Sequence, residues 1–170
     1  MTAQRQVIDE YPGQALPAKN DELAMFLLCR VRARWCALPL RHVIETMRPL
    51  PTTPIPGAPS FVVGLAIIRG MPVPVVDLSR LLSGIDTLPT RLVCVRTERG
   101  RVALAVDHVH GVRSLASESL HALPPLLQCA DAQVIAAVGM LDAELLLVMQ
   151  IARVVPEDLW AAVDTRATTA

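Results

Sequence analysis

Four histidines, His42, His108, His110 and His121, and a scatter of carboxylates are the groups through which this chain could do chemistry. His108 and His110 lie two apart, so on a strand they share a face and could chelate a metal ion. The one carboxylate at local ligand spacing, Asp107, faces the other way on that strand, so no metal site is expected. Asp77 and Asp107 each follow a run of valines, as the catalytic aspartates of aspartic proteases follow apolar strands. Neither is followed by the Thr/Ser-Gly that such a loop requires. Their expected role is to end a strand and cap the turn or helix that follows. His42 stands on a short segment after a strand, whereas a phosphorylated histidine normally occupies a long exposed helix. No G-x-x-x-x-G-K-[ST], G-x-G-x-x-G or G-x-S-x-G occurs. No catalytic residue and no cofactor is predicted.

The cysteines, Cys29, Cys36, Cys94 and Cys129, form no C-x-x-C pair. Most lie in apolar, strand-like runs, and they read as small buried hydrophobes in a reducing compartment. Formal net charge is zero, which argues against a broad electrostatic grip on nucleic acid. Lys19 is the sole lysine. Residues 1–20 have no apolar core of a signal peptide, and charges and prolines interrupt every apolar run before it reaches membrane-spanning length. A cytoplasmic protein is expected.

The elements that must position these residues are mostly strands. Residues 1–21 read as a flexible tail broken by Pro12, Gly13 and Pro17. Met25–Val31 and Trp35–Leu40 form a predicted hairpin, and Arg41–Met47 lacks breakers and could make one or two helical turns. Five prolines between Pro49 and Pro59 make a stiff strap, in which Pro51 and Pro54 also form a P-x-x-P. Phe61–Ile68 and Val73–Asp77 follow as strands around Gly70, with Leu78–Leu82 as a short helix. Leu92–Thr97 should pair with Val102–Val109. On the latter, Val102, Leu104 and Val106 share one face and Ala103 and Ala105 the other. Apolar residues on both faces place such a strand between layers or inside a small barrel. Val112–Leu120 is extended or shortly helical, and Ala122–Gln133 reads as an irregular loop. Val134–Leu141 and Leu145–Gln150 make a last hairpin around Asp142-Ala143. Residues 157–170 are expected to form a short helix and a frayed end. Short strands with frequent turns favour a small barrel or a pair of them.

The segment from Pro56 to Leu78, PGAPSFVVGLAIIRGMPVPVVDL, resembles the signature of the CheW-like chemotaxis coupling proteins: a proline-flanked entry, a strand running to G-h-x-N-L-R-G, then h-x-P-h-h-D-L. Val43-Ile44-Glu45 resembles that family's V-x-E segment, Val102–Val112 its G-h-h-V-D-x-V strand, and Val134–Val155 its last hairpin and helix. The resemblance runs over about residues 23–156, with 22–156 as the adaptor domain. It implies a mainly β fold of two interlocked five-stranded SH3-like barrels and no enzymatic activity. It implies a largely monomeric adaptor that binds no nucleic acid, does not enter the membrane, and bridges chemoreceptor tips to the regulatory domain of a CheA-type histidine kinase. By the same resemblance Glu45 and Arg69 pair near the partner-facing surface, Gly70 completes that corner, and Val43, Ile44 and Met47 are candidates for an apolar receptor groove. Ile67-Ile68 replaces the family's Asn-Leu, Ala137 replaces a glycine, and Met149-Gln150 interrupts the usual acidic ending. Those departures fit service in an alternative pathway controlling pili or second messengers. They also fit a divergent regulator that docks only a receptor or other target. A small metal-dependent enzyme using His108 and His110 is the distant alternative.

Overall fold

The computed structural model describes residues 23–124 and 133–167. The predicted N-terminal tail, Cys129, most of the 122–133 loop and the last three residues lie outside that range.

Among the described residues, ten strands form two five-stranded sheets. β1 (Ala24–Val31) and β2 (Arg34–Pro39) open the first sheet. The chain then builds the second from β3 (Val43–Met47), β4 (Val62–Ile68), β5 (Met71–Asp77), β6 (Arg91–Arg96) and β7 (Arg101–Val106). It returns to the first with β8 (His108–Leu115), β9 (Ile135–Leu141) and β10 (Glu144–Met149). The strand orders are β8-β1-β2-β10-β9 and β3-β6-β7-β5-β4. Each sheet holds one parallel pair, β2·β10 and β5·β7, and the wiring of one repeats that of the other. Because the first sheet is begun, left and resumed, the two units interlock.

Period-two alternation assigns each strand face to a separate core. Phe26 and Leu28 of β1 join Ala37, Ala137, Leu146 and Val148 inside the first sheet. Ala103 and Ala105 of β7 join Ala66, Ile68, Val73, Val75 and Leu92 inside the second. The opposite faces, Leu27, Cys29, Val31, Cys36 and Leu38 from one sheet and Val93, Val95, Val102, Leu104 and Val106 from the other, meet in a larger seam. The two apolar faces read on β7 therefore serve two cores. Cys29, Cys36 and Cys94 are free and fully buried.

Among the described residues, two helices close the seam crosswise. α1 (Leu78–Ser83) follows β5, and its Leu82 carbonyl accepts a hydrogen bond from Arg34 at 3.4 Å, beside the β1–β2 turn. α2 (Glu157–Ala167) follows β10 and a 3-10 turn. It buries Leu159, Trp160 and Val163 in the seam and sets Trp160 against Gly100 in the β6–β7 turn, with Arg99 paired to Glu157. Those three side chains form the apolar stripe of the helix.

Other expectations are corrected. Arg41–Met47 is not helical: Leu40–His42 makes a 3-10 turn and Val43–Met47 a strand on β6, as its β-branched residues prefer. β5 is an inner strand despite Pro72 and Pro74. Those prolines pair only with β4, and the parallel contact with β7 begins at Val75. Val102–Val109 is not one strand. At Asp107 the chain changes sheets, with the Asp107 N–H donating to the Arg30 carbonyl at 3.0 Å and the carboxylate accepting from Arg32 N–H at 2.5 Å. Asp107 thus braces a distant turn, where Arg32 has φ 56°, rather than capping its own.

Candidate functional site

The corner between β4 and β5 is the most defined surface feature. Ile68 pairs with Met71, leaving Arg69-Gly70 as a two-residue loop with φ 51° and 78°. Positive φ at both positions is the type I′ geometry that matches strand twist, and glycine supplies one of the two at no steric cost. Three features hold the corner in place. Gly64 of β4 lies against the proline strap, where Thr53 N–H donates to Leu65 O and Leu65 N–H to Thr53 O, both at 2.8 Å. Phe61 O accepts from Asp77 N–H at 2.8 Å. Asp77 caps α1 as its sequence position predicted, accepting from Ser79 N–H at 2.8 Å and Arg80 N–H at 3.2 Å. Burial raises the Asp77 carboxyl above its ordinary value, against a downward pull from those two N–H groups.

Arg69 reaches back to Glu45 in a bidentate pair: Nε to Oε1 and Nη2 to Oε2, each 2.8 Å. The two residues stand on β3 and at the tip of β4, the outermost strands of the second sheet, so the pair spans its two edges. The Arg69 hydrogen bonds hold the Glu45 carboxyl below the usual range against a smaller upward push from burial, with Arg101 adding to the downward pull. Glu45 in turn raises the Arg69 guanidinium. The Arg69 side chain is 71% exposed and that of Glu45 23%. Ile67 and Met71, flanking the corner, are 64% and 55% exposed.

The structure thus joins Glu45, Arg69 and Gly70 at one corner. It does not join Val43, Ile44 and Met47 into one groove. A bulge at Ile44 makes Val43 oppose Val95 and Glu45 oppose Cys94. Val43 consequently packs on the seam, while Met47 packs on the core inside the second sheet. Sequence reading overlooked Leu40, which lines the seam beside Val43, and Met25 and Val112, which are exposed on β1 and β8. Met25 shares the parity of the seam-facing Leu27 and Cys29 and is exposed because it stands near the start of β1. Val112 could not be placed without knowing that β8 joins β1.

His108 and His110 do not form a chelating pair. A bulge in the β1–β8 pairing separates them, their ring centroids stand 6.4 Å apart, and His110 packs edge-on against Trp35 at 4.7 Å. Among the described residues no three His, Cys, Asp or Glu are grouped to hold a metal ion. Among the same residues no helix is long and apolar enough to cross a membrane.

Comparison with known proteins fits this geometry. A family model described as the CheW-like domain matches residues 25–158. Protein FrzA of Myxococcus xanthus is 33% identical over 119 residues, covering 68% of this chain and 73% of that protein. The crystal structure of the scaffolding protein TtCheW from Thermoanaerobacter tengcongensis superposes with a TM-score of 0.67 at 22% identity, covering 76% of this chain and 90% of that one. Two interlocked five-stranded sheets, an Arg-Gly corner and a match across nearly all the described residues make this chain a member of the CheW-like family of non-catalytic scaffold and adaptor proteins.

Proposed function

We propose that this chain is a cytoplasmic chemosensory adaptor that couples chemoreceptor tips to the regulatory domain of a CheA-type histidine kinase. The observation that carries the reading is the Arg69 corner. An exposed arginine, oriented by a bidentate carboxylate and flanked by two exposed apolar side chains, has the composition of a protein-binding hot spot. Glu45 orients Arg69, and Gly70 permits the turn. Val43, with Leu40, Met25 and Val112, offers the receptor an apolar mouth at the seam. Ile44 and Met47 contribute by shaping β3. The chain works largely as a monomer until its partners assemble it.

A second reading, docking to a receptor or other target without kinase coupling, is favoured by Ile67, an exposed apolar residue where the resembling motif carries asparagine. Pull-down of the full chain with a kinase regulatory domain and with a receptor-tip fragment separates the two. Coupling predicts that both bind and that Arg69→Ala and Glu45→Ala weaken binding while leaving the melting curve in place. Capture of the receptor fragment alone supports the second reading, and capture of neither defeats both.

A further inference from the structure

The inner face of the second sheet changes character at one end. Along β6 the row runs Leu92, Cys94, Arg96, and along β7 it runs Ala105, Ala103, Arg101. Arg96 and Arg101 are direct cross-strand partners at the turn end of the β6–β7 hairpin, so two cationic side chains leave the same face of the sheet from neighbouring positions. Like charges directly opposite on a sheet are destabilising. Glu45, opposite Cys94, is the adjacent carboxylate, and Arg69 already occupies both of its oxygens. Among the described residues neither Arg96 nor Arg101 has an ion pair. The exposed Arg41 adds to the surplus: its Nε lies 3.2 Å from the His42 ring, which in turn meets the Arg96 backbone.

The first sheet provides an internal control. There the corresponding inner row runs Phe26, Leu28, Arg30, and the wiring is the same. Arg30 is satisfied within the molecule: it lies over the Trp35 ring at 4.2 Å and bonds Glu144 at 2.5 Å. Arg30 thus has an ion-pair partner of its own, whereas Arg96 and Arg101 share the field of one carboxylate, Glu45, that is already bonded to Arg69.

We infer that the open end of the second sheet is a socket for an acidic, partly apolar segment of a protein partner, recognised by Arg96 and Arg101 beside the Ile67–Met71 corner. The inference rests on the adaptor reading and specifies the partner's chemistry. Guanidinium forks match carboxylates bidentately. The surplus is confined to a few side chains on a chain of zero net charge, which is too local for a nucleic-acid track. Trp160, the indole against the adjoining β6–β7 turn, is buried and offers no open face on which bases could stack.

The test uses the full chain and a synthetic peptide of Glu, Asp and Leu, read by fluorescence anisotropy. Its Gln/Asn counterpart, a single-stranded oligonucleotide and phosphatidylserine vesicles serve as comparisons. The acidic peptide should bind more tightly than all three, and added salt should weaken it. Arg96→Glu should reduce that binding about tenfold or more. Because it places opposite charges across the hairpin, it should also raise the melting temperature by about 1–4 °C. A purely structural role would not give weaker binding together with a more stable fold. Arg101→Gln should show the same loss of binding, and it keeps the test available if Arg96→Glu fails to fold. Equal binding of the Gln/Asn peptide, tighter binding of oligonucleotide or vesicles, or unchanged binding by both variants would overturn the inference. A chain that binds the acidic peptide through these arginines, yet captures no kinase domain in the parallel pull-down, keeps this inference and loses kinase coupling.

Discussion

Gly64→Ala is the sharpest test of how the corner is held. Gly64 has φ 150°, a conformation L residues rarely adopt, and a Cβ built there would stand 2.7 Å from the Thr53 carbonyl carbon and closer still to its oxygen. Both are backbone atoms in a proline-stiffened strap, so neither can swing aside as a side chain would. Overpacking costs about 1–3 kcal/mol, and the backbone strain of a non-glycine residue adds about 1–3 kcal/mol. If the strap withdraws to relieve the clash, the paired Thr53–Leu65 hydrogen bonds are lost at about 1 kcal/mol each. By either route the cost is about 2–6 kcal/mol. For a chain of this length that corresponds to a fall in Tm of about 4–24 °C. Gly70→Ala is the matched control, since φ is 78° there and no atom lies within 4 Å of the added Cβ. It should cost only the left-handed penalty of about 1–2 kcal/mol. Thermal and urea melts of the two variants decide the matter. A Gly64→Ala protein as stable as Gly70→Ala, or within about 2 °C of wild type, would refute the claim that the strap pins β4 through this glycine.

Trp160→Ala should cost about 3–5 kcal/mol in urea denaturation, because the indole is buried in the seam and fills the space over Gly100. A cost below about 1 kcal/mol would show that α2 merely rests on the surface. Asp77→Ala should cost about 1–2 kcal/mol by removing the cap of α1, with Asp77→Asn losing less; a melt unchanged by Asp77→Ala would contradict that role. Burial pushes the Cys29 and Cys36 thiols up to about 12. The unfolded chain therefore releases these protons first as pH rises, and stability is full below about pH 9 and falls between about pH 9 and 12. A thiol reagent near neutral pH should label neither until urea unfolds the chain, and rapid labelling of the native protein would contradict their burial.

Much of the fold was legible because its signals are local. The Val102/Leu104/Val106 and Ala103/Ala105 alternation announced a strand with two buried faces, and Arg69-Gly70 and Asp142-Ala143 marked hairpin turns that the structure bears out with positive φ. Asp77 before a short apolar helix read as its cap. The misses have a common cause. Val43–Met47 contains no breaker, and nothing local shows that β6 lies ready to pair with it. The inner place of β5, despite Pro72 and Pro74, was not legible because its half-strand register with β7 is set by a partner more than twenty residues away. Asp107 serves the turn at Arg32, a role visible only once two distant segments meet. The site divides in the same way. The Glu45–Arg69 pair followed from a motif, whereas the unpaired opposition of Arg96 and Arg101 depends on hairpin register and on Glu45 being already bonded to Arg69.

The central claim is that an exposed, pre-oriented Arg69 corner exists to bind partner proteins. The most direct measurement is the affinity of the full chain for a CheA-type kinase regulatory domain, by isothermal titration calorimetry, for wild type, Arg69→Ala and Glu45→Ala. The account predicts saturable binding by wild type and a loss of about tenfold or more in both variants, with melting temperatures unchanged. Wild-type protein that binds neither the kinase domain nor a receptor tip, or variants that bind as well as wild type, would contradict it.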